Sequence, residues 1–303
     1  MEYVPNDPES GSTSIPPVEK IDSGVSKFPT RLKQIPQPPK QLYVRGAFRE
    51  FDLPMIAIVG SRRCTAYGAE VAATLAAGLV QHGIPVVSGL ARGIDQAAHD
   101  GALRAGGPTV AVVPSHMLDF LARSSEVVRE RLLPYGALIS EWDDTHPTES
   151  WHFPVRNRII SGLSVGVLVV EAAERSGALI TVRHAADQGK EVFAVPGDIT
   201  RETSRGTNKL IQDGAKLVTR IQDILEEIPS FQFSHGGVGV GSGEQLPLSL
   251  PEEKIRQALS HGPLTMDDLT EFFDGSHREL TECLFRMETE GVIHHSNGKI
   301  LLV

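Results

Sequence analysis

Six short, uninterrupted apolar runs, at residues 55–59, 85–87, 109–113, 137–139, 165–170 and 191–195, alternate with stretches long enough to hold helices. A strand that is apolar along its length must be covered on both faces, and helices packed on either side of a parallel sheet do this. The pattern therefore predicts an α/β doubly wound parallel sheet. With 40% hydrophobic and 22% charged residues the chain can bury such a core, and disorder throughout is excluded. None of the runs approaches the ~20 residues of a membrane-spanning helix. The N-terminus lacks the basic start and apolar stretch of a secretory signal, and the two cysteines, Cys64 and Cys283, lie far apart. A cytoplasmic protein with no membrane partner and no disulfide framework is expected.

Residues 1–40 are rich in Pro, Ser, Gly and charged residues without an apolar period, and are expected to form an extended or disordered lead-in. Residues 41–228 then hold the α/β domain. The Gly-rich stretch within 229–249 reads as a flexible linker. Residues 250–303 read as a small C-terminal winged-helix domain, with helices over 251–260, 265–273 and 276–290. The last is opened by Ser276, with Glu279 completing a capping box. Strands over 292–295 and 299–303 flank the hairpin turn Ser296-Asn297-Gly298.

Ligands of doubly wound sheets bind at the carboxyl ends of the strands, and four of those ends are unusual. After the first comes Gly60-Ser61-Arg62-Arg63, where small residues bare backbone N–H groups at a helix start and the arginines add cations. This is a phosphate site in chemistry, although the Gly-x-Gly-x-x-Gly spacing of dinucleotide binders is missing; the alternative is a plain turn with solvated arginines. After the second, Ser88-Gly89-Leu90-Ala91-Arg92-Gly93 makes another such turn. Asp95 and His99 behind it stand at i, i+4, a spacing that suits helix capping by Asp95 better than a metal or acid–base pair. The third, Arg156-Asn157-Arg158 behind Pro154, places cations in a first helical turn against the dipole. One arginine is expected to be buried against a carboxylate such as Glu141 or Glu171, and another to face an anion. The fourth carries Ser176-Gly177 at a helix start and Glu171 as the best-placed acid. No nucleophile–base–orienter set and no cluster of metal ligands surrounds Glu171, so neither catalysis nor a cofactor is expected.

The segments Ile56-Ala57-Ile58-Val59-Gly60-Ser61-Arg62, Ser88-Gly89-Leu90-Ala91-Arg92-Gly93-Ile94-Asp95, Phe153-Pro154-Val155-Arg156-Asn157-Arg158 with Ile159 to Ser164, and Ser176-Gly177-Ala178-Leu179-Ile180-Thr181 occur in that order. Together they resemble the successive motifs of the DNA-processing protein A (DprA/Smf) family, from about Phe28 to the C-terminus. The resemblance implies a Rossmann-like homodimer that binds single-stranded DNA and loads RecA recombinase onto it in natural transformation, without being an enzyme. It implies DNA contacts at Arg62 and Arg156. Many members also carry an N-terminal helical SAM-like domain, where this chain has only the Pro-rich lead-in. Trp142-Asp143-Asp144 after Ser-Glu, the 115–124 loop and Ser-Gly-Ala in place of Ser-Gly-Ser depart from the family pattern.

Two other functions compete. A related Rossmann-like hydrolase of nucleoside monophosphates would use Glu171, but the Pro-Gly-Gly-x-Gly-Thr phosphate loop is replaced by Glu-Arg-Ser-Gly-Ala. A winged-helix regulator would read duplex DNA with its tail. Charge discriminates: the formal net charge is −9, and residues 223–303 hold 14 Asp+Glu against 5 Lys+Arg, which leaves 24 of each in residues 1–222. An acidic tail is a poor partner for phosphates and is expected to act in protein contact or intramolecular regulation instead of binding duplex DNA. With aromatic residues at 6%, base-stacking platforms are few, and Tyr67, Phe153 and Trp151 are the candidates.

Overall fold

The computed structural model describes residues 17–123, 128–142 and 148–228, and beyond them 255, 258–259, 264–273, 280, 283–284, 293–296 and 299–302. The chain divides into two compact units, Met1–Gly236 and Gly237–Val303. In the first, the six apolar runs are strands: β3 (Ile56–Val59), β4 (Val86–Ser88), β5 (Thr109–Val112), β6 (Ala137–Ser140), β7 (Gly166–Val169) and β8 (Glu191–Ala194). All six run parallel to one another. The short β9 (Lys216–Leu217) continues the sheet beside β8. On the other side β2 (Gln41–Gly46) runs antiparallel to β6, and β1 (Glu19–Asp22) antiparallel to β2. The order is β1-β2-β6-β5-β4-β3-β7-β8-β9.

The helices are α1 (Thr30–Lys33), α2 (Ala66–Gln81), α3 (Ile94–Arg104), α4 (Met117–Arg123), α5 (Leu133–Tyr135), α6 (His152–Leu163), α7 (Ala178–Asp187), α8 (Glu202–Gln212) and α9 (Gln222–Leu225). Because side chains alternate along a strand, each apolar run supplies two cores. Ala57, Val59, Val110, Val167 and Val169 pack toward α6 and α7, whereas Ile56, Ile58, Leu168 and Val170 pack toward α2, α3 and α9. No helix of the described residues is long and apolar enough to cross a membrane.

The lead-in expected over 1–40 is overturned from residue 17 onward. β1 pairs with β2, and Phe28 and Leu32 are fully buried in the α6 face of the core, joined by Ile21 and Ile35. Thr30 N–H donates to Asp52 Oδ1 at 2.7 Å, and Arg31 donates to the Asp52 carbonyl at 2.6 Å, which pins α1. Each buried side chain of this size stabilises by roughly 1.5–3 kcal/mol. Elements of four residues contribute one or two apolar side chains each, too few to make a period.

The second unit is described by itself. α10 (Met266–Phe272) opens at Thr265, whose hydroxyl accepts from Asp268 N–H while the Asp268 carboxylate accepts from Thr265 N–H, a capping box the sequence reading did not name. β10 (Ile293–Ser296) and β11 (Lys299–Leu302) form an antiparallel hairpin. Ile255, Leu259, Leu269, Leu280, Leu284, Ile293 and Ile300 share one apolar cluster. The expected linker, the Ser276–Glu279 cap and the Asn297-Gly298 turn lie outside the described residues.

Candidate nucleic-acid interface

The chain leaves β3 toward β4 on one side and reaches β7 on the other, so the loops after β3 and β7 diverge and open a crevice. It is a cleft of about 510 Å³. Its walls are the Gly60-Ser61-Arg62-Arg63 turn, Phe153 and Asn157 of α6, and Ser176-Gly177 at the start of α7, and the buried Arg156 and Asp95 also reach its lining.

The turn is held from beneath. Ser61 N–H donates to the Glu171 carbonyl at 2.7 Å, and Arg63 N–H donates to Ser61 Oγ at 3.1 Å. Gly93, at φ +84°, lets the start of α3 pass under the turn, because a Cβ there would strike the Ser61 carbonyl oxygen. The Glu171 carboxylate accepts from Thr65 N–H at 2.9 Å and from Thr65 Oγ1 at 2.6 Å, while Thr65 Oγ1 accepts from Gly68 N–H at 3.0 Å as N-cap of α2. The best-placed acid in the sequence thus ties the turn to α2. Burial and the Glu171 carboxylate push the nearby Cys64 thiol up, away from the reactive thiolate.

Asp95 does not cap its own helix, whose N-cap is Gly93. Its Oδ2 instead accepts from Gly89 N–H at 3.1 Å and Ala91 N–H at 3.4 Å, bracing the loop ahead of α3. Nor does Asp95 pair with His99, whose ring turns to Thr109 Oγ1 at 2.7 Å. Arg156 is buried and donates to the carbonyls of Gly89 (2.8 Å) and Val112. Burial lowers its pKa to about 10, with Asp95 opposing the shift and Arg62 adding to it. A Cβ on Gly89 would press on both the Arg156 guanidinium and the Asp95 carboxylate, so a larger residue there would push these side-chain ends aside. The amides of Gly60, Arg62 and Gly177 have no intramolecular acceptor among the described residues.

The family model described as DNA recombination-mediator protein A matches residues 21–229. The chain belongs to that family. It is 40% identical over 222 residues to the DNA processing protein DprA of Bacillus subtilis, covering 73% of each chain. It is 41% identical to that of Streptococcus pneumoniae, covering 68% of this chain and 72% of the relative. The X-ray structure of the S. pneumoniae protein superposes with a TM-score of 0.66 at 39% identity, covering 70% of this chain and 74% of that one. DNA processing protein A from Helicobacter pylori, whose structure describes a single-stranded DNA binding mode, superposes at 0.60 with 30% identity over 68% of this chain and 93% of that one.

In this recombination-mediator family member the cleft gathers Gly60, Ser61, Arg62, Arg63, Arg156, Asn157, Ser176 and Gly177 from the expected set. The rest stand apart. Ser88 is buried and donates to the Ile58 carbonyl, Gly89 and Gly93 shape the loop, and Arg92 is exposed outside the lining. Arg158 donates to Glu141 Oε1 at 2.6 Å and is the arginine held by a carboxylate. That is the buried carboxylate pair expected of one arginine in this motif; Arg156 is buried as well and its guanidinium serves two strand-end carbonyls, while it still reaches the cleft lining. Thr65 as the partner of Glu171 escaped the sequence reading, although a Thr three residues ahead of a Gly at a helix start is a legible N-cap signal.

Proposed function

We propose that the protein binds single-stranded DNA at this cleft without regard to sequence, loads RecA recombinase onto it in natural transformation, and works as a homodimer and not as an enzyme. The observation that carries the reading is that Gly60, Arg62 and Gly177, whose amides have no acceptor among the described residues, line one cleft with Arg63. Backbone donors and arginine forks fit phosphodiester oxygens and ignore the base. The single-stranded DNA binding mode of the H. pylori relative supports the same reading. Against the hydrolase, both Glu171 oxygens are engaged by Thr65. RecA loading and dimerisation rest on the family resemblance; RecA filament assembly on coated strand and sedimentation velocity test them.

The test is a fluorescence-anisotropy titration with oligo-dT and mixed-sequence strands across salt. Affinity should fall linearly on a log–log plot and vary little with sequence, and Arg62→Ala should weaken binding to all strands and reduce the salt slope by about 1. An Arg62→Ala protein binding as tightly as wild type, with the same slope, overturns the site. We further propose that the acidic C-terminal unit is a winged helix used for protein contact. A chain ended at residue 228 should then keep its oligo-dT affinity; a marked loss would put DNA contacts in the tail.

A further inference from the structure

Arg62 is exposed, yet its guanidinium carbon stands 5.5 Å from the centroid of the Phe153 ring. Phe153 is 38% exposed in the first turn of α6, and both residues line the cleft. Phe153 and Arg156 stand at i, i+3, so the ring lies on the helix face that also carries the buried guanidinium. Two cations therefore share one small space, and Arg62 is close enough to depress the pKa of Arg156. Left to itself, an exposed arginine beside a buried cation swings toward solvent and loses rotamer entropy each time it captures a phosphate. The electron-rich ring face opposes that swing.

We infer that Phe153 is a positioning residue for Arg62, its ring holding the guanidinium over the cleft ready for a phosphate of the strand. The inference rests on the proposed single-stranded DNA binding. Its test is a double-mutant cycle on the full chain, read by oligo-dT anisotropy with melting temperature as a control for folding. Phe153→Ala should weaken binding by about two- to fivefold and flatten the salt slope. The same change made on Arg62→Ala should cost nothing further. Phe153→Tyr should restore binding, because it keeps the π face, and Phe153→Leu, which keeps only apolar bulk, should not. Additive losses would mean that the ring meets the DNA itself and would overturn the inference, as would rescue by Leu. Phe153 variants that bind like wild type while Arg62→Ala binds weakly sink this inference alone; an Arg62→Ala protein with full affinity sinks the binding site with it.

Discussion

Arg156→Ala is expected to lower the unfolding free energy by about 2–5 kcal/mol, from two buried carbonyls left without a donor, whereas the exposed Arg62→Ala should leave it nearly unchanged. The Arg156 guanidinium ties the carbonyls of Gly89 and Val112, just past β4 and at the end of β5, to α6, with the buried Asp95 carboxylate beside it. Burial holds the Asp95 carboxyl up, and the neighbouring guanidinium is the largest influence drawing it back. Truncation strips two buried carbonyls of a donor and removes the nearby positive charge that draws the Asp95 carboxyl back. Urea unfolding monitored by circular dichroism should show a lower midpoint at unchanged slope. A variant as stable as wild type that has lost oligo-dT binding would assign Arg156 to the DNA directly. The practical consequence is that lost binding in Arg156→Ala reads as lost architecture until stability has been measured.

Acidification should drain stability through His99. The ring is buried, and because Thr109 Oγ1 donates to the Val86 carbonyl, its oxygen accepts from His99 Nδ1–H, which leaves Nε2 as a bare acceptor with no partner among the described residues. A second proton on Nε2 would find no acceptor and would face the Arg156 charge. Burial, with Arg156 adding to it, lowers the pKa from 6.5 to about 3. Above pH 6.5 the ring is neutral in both the folded and unfolded chain and makes no difference. Below it the unfolded chain takes up a proton that the folded ring refuses until about pH 3. Stability is therefore lost across that window, at up to about 1.4 kcal/mol per pH unit. His99→Gln, which keeps a donor toward Thr109 and cannot titrate, should show a flatter decline in unfolding free energy between pH 6.5 and 4. Parallel declines in the two proteins would show that His99 is not buried neutral. Asp95 acts in the opposite sense, since its raised pKa makes acid relieve a cost, and comparing the two proteins cancels it.

Much of the fold was legible from residue order. Each of the six apolar runs is a strand because only a doubly covered sheet can accept Ile56-Ala57-Ile58-Val59 without exposing one face. β2, with alternating burial, and β1, with a single buried residue, fell below that signal. The cleft was half legible. Gly60-Ser61-Arg62-Arg63 and Ser176-Gly177 are local statements about donors and cations, and the cleft brings them together. Glu171, Asp95 and Arg156 could not be assigned in the same way, because a carboxylate or guanidinium reads alike whether it meets a ligand or the protein's own backbone.

By itself the sequence determined the periodicities, the parallel doubly wound core and the small, cationic character of the strand-end turns, since these depend on neighbours a few residues apart. Only the tertiary structure decided which charged groups remain available. Thr65 meets Glu171 from 106 positions away and Arg156 meets Gly89 from 67, and those long-range hydrogen bonds consume the acid and bury one arginine, leaving Arg62 exposed beside Phe153. A buried charge must find partners wherever the fold brings them, and no local pattern records which ones it will find.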